Sequence, residues 1–185
     1  MCNSYLIDHQ MLLSLSKYSR DHVESSTRIV KPGDLAPVIL FDESFYITSK
    51  KWGLPSVNGV HINARSESVL QKVTFKDHIK KRRCIIPARR FYEYDPHHQQ
   101  VGFNYHNERL IYMAGFYDED DHFIIMTTAA NASVSPFHDR MPLILEAKDL
   151  RFYFDDDYYE RLLKKKQPDF DNDAFYRQLS LFDDE

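Results

Sequence analysis

An α+β fold, with a largely antiparallel β-sheet or open β-barrel core flanked by short helices, is what three features of the sequence predict. Short runs rich in β-branched and aromatic residues recur at close spacing from residue 84 to residue 128, with polar turns between them. Helical patterning is confined to the two ends of the chain and to a stretch around residue 70. Of the 185 residues, 43% are hydrophobic and 28% charged, enough apolar material for a core and far from a disordered composition.

Residues 6–18 read as a helix. Residues 36–41 and 45–48 are β-branched and aromatic, separated by Asp42-Glu43-Ser44, and read as a strand pair. Residues 66–73 follow a Ser cap and read as a short helix, and 74–81 as a second one. Strands are expected at 84–87, 91–94, 101–105, 109–117 and 122–128, and helices at 149–154 and 158–165. The acidic tail after Gln167 carries Phe175, Tyr176, Leu179 and Phe182, which would dock it on the body. With no internal repeat and no low-complexity linker, residues 1–185 read as one domain.

Several function classes drop out early. No apolar run approaches the roughly 18 residues a membrane-crossing helix needs. The start, Met1-Cys2-Asn3-Ser4, lacks the basic region of an export signal, so a cytoplasmic protein is expected. Cys2 and Cys84 make no disulfide framework and no metal-ligand spacing, and none of the nine histidines forms a short zinc pattern. No metal or organic cofactor is implied.

The net charge of −4 argues against a polyanionic partner, but the local distribution does not. Residues 50–90 hold eleven bases, among them Lys50, Lys51, Arg65, Arg83, Arg89 and Arg90, against Glu67 and Asp77. Residues 149–185 hold eleven acids and six bases. Such a bipolar field lets the basic zone attract a polyanion, although runs of charge also simply solvate helix faces. The one Trp lies here, in Lys50-Lys51-Trp52-Gly53. Cations beside an exposed ring suit single-stranded nucleic acid, because phosphates need charge and unstacked bases need a flat partner. Trp52 reads equally as that ring or as a core anchor.

Cys2 carries the sharpest chemistry. Removal of Met1 leaves a free α-amine beside a thiol, two groups that titrate near ~7.7–8 and ~8.5 and are both available at neutral pH. Together they condense with an aldehyde: the amine forms an imine, and the thiol adds to close a thiazolidine. The plainer reading is a small residue at a frayed terminus. Cys84, flanked by Ile85 and Ile86, reads as a small buried hydrophobe.

Cys2 does not stand alone. Asn63-Ala64-Arg65-Ser66-Glu67 follows Trp52-Gly53-Leu54, and Arg83-Cys84-Ile85-Ile86-Pro87-Ala88 runs into Phe91-Tyr92-Glu93-Tyr94. Thr127-Thr128-Ala129-Ala130-Asn131 then precedes His138-Asp139-Arg140-Met141-Pro142. In order and spacing, over about residues 2–146, this set resembles the SRAP (SOS-response-associated peptidase) family. That resemblance implies a protein that shields abasic sites in single-stranded DNA by covalent cross-linking, with no sequence preference; a monomer is expected, with bacterial cytoplasm the default compartment. It implies Cys2 as the cross-linking residue, Asn63 beside the reaction centre and Arg65 on a phosphate. It also implies Glu93 moving protons around the amine and imine, and His138 aiding opening of the closed sugar. Trp52 would stack on a base, and Lys50, Lys51, Arg83, Arg89, Arg90 and Arg140 would supply the basic surface, Arg83 and Arg140 equally through internal pairing.

Two departures stand out. Asn3-Ser4 replaces the usual Gly-Arg after the cysteine, removing a phosphate contact. Arg89-Arg90 replaces an Asp-Gly pair, which would offset that loss, and Tyr94 replaces a Trp. Two other functions remain open at this point. One is a thiol peptidase with Cys2, His138 and Glu93 as nucleophile and bases, acting on peptides or on Met1 alone. The other is a non-catalytic single-strand binder. Weak strand cleavage by β-elimination from the imine is a corollary of the cross-linking chemistry.

Overall fold

The computed structural model describes residues 2–20 and 26–174. The first half runs β1 (Ser4–Ile7), α1 (His9–Ser16), β2 (Arg28–Val30), β3 (Leu35–Asp42), β4 (Ser44–Trp52), β5 (Leu54–Ser56), β6 (Gly59–His61), β7 (Asn63–Arg65) and α2 (Val73–Lys81). The second half runs β8 (Arg83–Ala88), β9 (Arg90–Tyr94), β10 (Gln100–Asn104), β11 (Ile111–Tyr117), β12 (His122–Ala129), β13 (Arg140–Pro142) and β14 (Ile144–Leu145). After these come α3 (Leu150–Tyr153), α4 (Tyr159–Leu162) and β15 (Asp171–Asn172).

The larger sheet closes on itself. β12 pairs with β4, β4 with β3, β3 with β8, β8 with β11, and β11 returns to β12. Closure leaves these five strands without free edges, the usual gain of a barrel. Pairing is antiparallel except where β12 runs parallel to β4 and β7. The second sheet has the order β15-β10-β9-β1-β2, all antiparallel. The α+β class and the largely antiparallel core are as expected, with the larger sheet ring-like.

Strands β3, β8, β11 and β12 of the ring are largely buried on both faces, which explains their near-continuous apolar runs, whereas β4 is only partly covered. In β8, Cys84 and Ile86 enter one core cluster and Ile85 the other; in β12, Phe123 and Ile125 part in the same way from Ile124 and Met126. The first cluster also takes Tyr5, Ile7, Phe91, Val101 and Phe103 from the five-stranded sheet, so that sheet packs on the ring. The second takes Ile79, Tyr153, Tyr159 and Leu163 from the helical side.

Element boundaries shift where a cap decides them. The helix expected at 6–18 begins at His9, because Asp8 caps it: its carboxylate accepts the Met11 N–H at 2.7 Å. That frees Leu6 and Ile7 for β1. The helix expected at 66–73 is a series of turns, and α2 starts at Val73. The two C-terminal helices are single turns rather than the longer segments expected. Phe175, Tyr176, Leu179 and Phe182 lie outside the described residues. Among the described residues, no helix is long and apolar enough to cross a membrane.

Candidate active site

Residue 2 is fixed by the strand that follows it. β1 lies between β2 and β9, with Tyr5 opposite both Val30 and Phe91 and Ser4 opposite Tyr92. Pairing on both sides sets the start of the chain at the end of the five-stranded sheet, against the ring. There the side chain of Asn63, which opens β7 opposite Ile125 of β12, donates from Nδ2 to the Cys2 carbonyl oxygen at 2.7 Å. Asn63 Oδ1 is buried and has no hydrogen-bond partner among the described residues, so it stands as an acceptor beside residue 2.

Glu93 sits in β9 two residues from Phe91, on the face turned to the core, and is 1% exposed. His138 lies just before β13. Its Nδ1 is 2.9 Å from the Arg140 backbone N and 3.1 Å from the Arg140 carbonyl oxygen, which orients the ring and leaves Nε2 3.9 Å from Glu93 Oε2. Four residues, from the segment ahead of β1, from β7, from β9 and from the β12–β13 connection, therefore meet at one end of the interface between sheet and ring.

Burial sets the electrostatics. It raises Glu93 from the ordinary carboxyl value to about 7, so near neutral pH this side chain exchanges a proton readily. His138 is lowered, chiefly by burial, and is a neutral imidazole at pH 7. The Cys2 thiol is pushed well above its usual value, first by burial and then by repulsion from Glu93. Its sulfur lies 3.7 Å from the Ser4 carbonyl oxygen, and the residue is 0% exposed. The expectation of a thiol titrating near its ordinary value is thus corrected for the folded chain: burial favours the thiol of Cys2 over the thiolate.

The expected basic surface is largely consumed inside the protein. Trp52 is 0% exposed, stacked on Phe123 at 6.1 Å and tilted on Tyr5 at 5.3 Å, with its indole N–H donated to the Ile62 carbonyl at 2.9 Å. It is a core anchor, not a stacking platform for a base. Gly53 beside it has φ +121°, and a Cβ there would lie 2.6 Å from Val60 Cγ1, so the bend after Trp52 requires glycine. Lys50 is buried against Asp121, its ammonium 4.1 Å from the Tyr117 ring centroid. Arg83 binds the Ile79, Lys80 and Phe154 carbonyls and Asp156, which ties α2 to α3. Arg89 pairs with Asp8 and the Glu108 carbonyl, and Arg90 with Asp173 at 3.5 Å. Arg140 makes a two-pronged pair with Glu67 at 2.8 and 2.9 Å and donates to the Thr127 carbonyl at 2.7 Å. As phosphate contacts, Lys50, Arg83, Arg89, Arg90 and Arg140 are corrected. Lys51 and Arg65 remain exposed, Arg65 two residues along β7 from Asn63.

A cavity of about 450 Å³ that no sequence motif announces lies beside residue 3, lined by Asn3, Ser4, Ile29, Lys31, Pro32, Tyr94 and Gln100. Tyr94, read as a packing substitute for Trp, is 41% exposed at its edge. Among the described residues, one cluster of possible metal ligands, Asp118, Asp120 and His122, occurs where the β11–β12 turn enters β12. Asp118 already accepts the backbone N–H groups of Asp120 at 3.0 Å and His122 at 2.8 Å, so turn formation accounts for the grouping.

Comparison with known proteins gives the family and the fold. Residues 2–176 match the family described as SOS response associated peptidase (SRAP). The chain belongs to the SRAP family. Among curated relatives it is 31% identical over 125 residues to the abasic site processing protein YoqW of Bacillus subtilis (strain 168), covering 58% of this chain and 56% of that one. It is 33% identical over 96 residues to the abasic site processing protein YoaM of the same organism, covering 45% of this chain and 42% of that one. The chain thus spans about half the length of the curated SRAP relatives it matches. Among solved structures, a protein from Bacteroides thetaiotaomicron superposes with a TM-score of 0.75 at 19% identity, covering 92% of this chain and 90% of that one. A phage-related protein from Bordetella bronchiseptica gives 0.71 at 20% identity, covering 92% of each. Both share the fold.

Proposed function

We propose that this SRAP protein processes abasic sites in single-stranded DNA by attaching to them through residue 2 once Met1 is removed. The observation that carries the reading is the meeting of Cys2, Asn63, Glu93 and His138, with a carboxyl group titrating near 7 in their midst. Relatives named abasic site processing proteins support it.

Each step has a group suited to it. An abasic sugar is mostly the closed hemiacetal, and neutral His138 transfers the proton that opens it to the aldehyde. The α-nitrogen of Cys2 attacks C1′, giving a carbinolamine. Glu93, able to hold or release a proton near neutral pH, takes one from nitrogen and returns one to the departing hydroxyl, so that water leaves and a C1′=N imine remains. Sulfur then adds to C1′ while its proton passes to nitrogen, closing the thiazolidine. An un-ionised thiol suits this last step, since it brings both the sulfur and the proton the imine nitrogen needs. Asn63 holds the Cys2 carbonyl through Nδ2 and offers Oδ1 to a sugar hydroxyl. Residue 2 is enclosed in the full chain, so the reaction requires that loss of Met1 open it to the strand. A thiol peptidase draws less support, because its nucleophile must be a thiolate and the surroundings of Cys2 favour the thiol.

The test is adduct formation on a denaturing gel between Met1-free protein and a single strand bearing one abasic site. Wild type forms a band that survives denaturation; Cys2→Ala does not, nor does protein with an extra residue ahead of Cys2. An equal yield from Cys2→Ala overturns the proposal, as does repeated turnover of peptides by a protein that forms no adduct.

A further inference from the structure

We propose that the cavity beside residue 3 carries the unpaired strand past the amino terminus, with Lys31 as its phosphate contact and Tyr94 as the ring on which a base stacks. This rests on the single-stranded DNA reading above.

The cavity measures about 450 Å³ and contains no carboxylate. In that it differs from two others of similar size. In one, of about 590 Å³, Glu108, Asp171 and Asp173 outnumber Arg90; in the other, of about 420 Å³, Asp77, Asp118, Glu119 and Asp120 outnumber Lys81 and Arg82. A polyanion is repelled by both and not by the first. The first is also next to the chemistry, since Asn3 forms part of its wall and is bonded directly to Cys2.

Lys31 is placed by the backbone rather than by chance. Strand β2 pairs with β1 so that Tyr5 faces Val30, which brings Lys31 across from Ser4. A turn follows at once: Gly33 has φ +97°, the Asp34 N–H donates to the Lys31 carbonyl at 3.0 Å, and the Lys31 N–H donates to the Asp34 carboxylate at 2.8 Å. The main chain of Lys31 is thereby pinned at both its polar groups, and its side chain is exposed. Arg89 and Arg90, the bases expected to serve this end of the protein, are taken up by Asp8 and Asp173, so Lys31 is the cation the cavity offers. On the other wall, Tyr94 is 41% exposed, and Gln100 donates to the Ser4 hydroxyl at 3.2 Å. A cation on an anchored main chain and an exposed ring flanking one cavity are what a sequence-tolerant single-strand site needs.

The experiment is a fluorescence-anisotropy titration of a lesion-free oligothymidylate with Met1-free protein at about 50 and about 200 mM salt. Lys31→Ala weakens binding several-fold at the lower salt and reduces the slope of log affinity against log salt by about 0.7, the share of one phosphate contact on a single strand. Lys31→Arg retains both. Tyr94→Ala weakens binding by a similar factor at both salt concentrations. Lys17→Ala, exposed at the end of α1, leaves binding as it was. Affinity and salt slope unchanged in Lys31→Ala overturn the proposal even if Cys2 adducts form normally. Adducts absent from wild type, with the Lys31 effect present, would instead overturn the covalent chemistry and leave the cavity standing.

Discussion

Cys2, Asn63, Glu93 and His138 are far apart in the chain and come within reach of one another, whereas several of the bases expected to form one surface are drawn apart and paired with acids from other segments. The difference lies in what each residue meets from distant segments. Lys50 finds Asp121, Arg83 finds Asp156, and Arg140 finds Glu67, each across a sheet or between layers. A high density of charge along the sequence is therefore no measure of charge on the surface. The site cluster shows the converse: a carboxyl group and an imidazole acquire shifted acidities chiefly because distant segments bury them together.

The comparison can be broken most severely at Glu93. Glu93→Gln removes the exchangeable proton while keeping shape, and slows adduct formation by about 10²–10⁴-fold, followed as single-turnover kinetics. The same change stabilises the protein at alkaline pH. A carboxyl raised to about 7 from its ordinary value costs nothing while both states are protonated, then loses stability as pH rises through that interval. Glu93→Gln gains up to about 3 kcal/mol at pH 8 and almost nothing at pH 4, measurable by urea unfolding at the two pH values. A variant that lost stability at pH 8 would contradict the burial argument.

Trp52→Ala comes next. As a buried ring stacked on Phe123 it costs about 3–5 kcal/mol of stability. Trp52→Phe preserves much of the packing and binds a single strand as wild type does, which a base-stacking Trp would not allow. Arg83→Ala loses about 1–3 kcal/mol, because the Ile79, Lys80 and Phe154 carbonyls and Asp156 lose their donor, with no change in the salt slope of DNA binding. Arg65→Ala has the smallest effect and the opposite character: stability within about 0.5 kcal/mol of wild type, and a salt slope lower by about 0.7. Were Arg83 and Arg65 to behave alike, the distinction between internal and surface bases would fail.

The ring strands were legible because strands buried on both faces give short apolar runs that nothing else in the sequence imitates, as at Cys84 to Pro87 and Phe123 to Met126. β1 and β7 were not. Leu6 and Ile7 continue the apolar pattern of α1, and only the Asp8 cap separates them. The Asn63–Arg65 strand is three residues long and takes its shape from β12 beside it. At the site, residue types followed from the resemblance between motifs, whereas the state of each group did not. The raised thiol of Cys2 arises from burial by residues far along the chain, which no local pattern records. Lys31 was missed for the same reason, since its neighbour across the strands is Ser4.

Intact mass of the Met1-free protein after mixing with a strand bearing one abasic site tests the central claim most directly. The account predicts one product equal in mass to protein plus strand less one water, unchanged by borohydride because the thiazolidine has consumed the imine, and missing from Cys2→Ala. Protein recovered at its original mass, or a product that takes up two hydrogens on reduction in wild type, would contradict it.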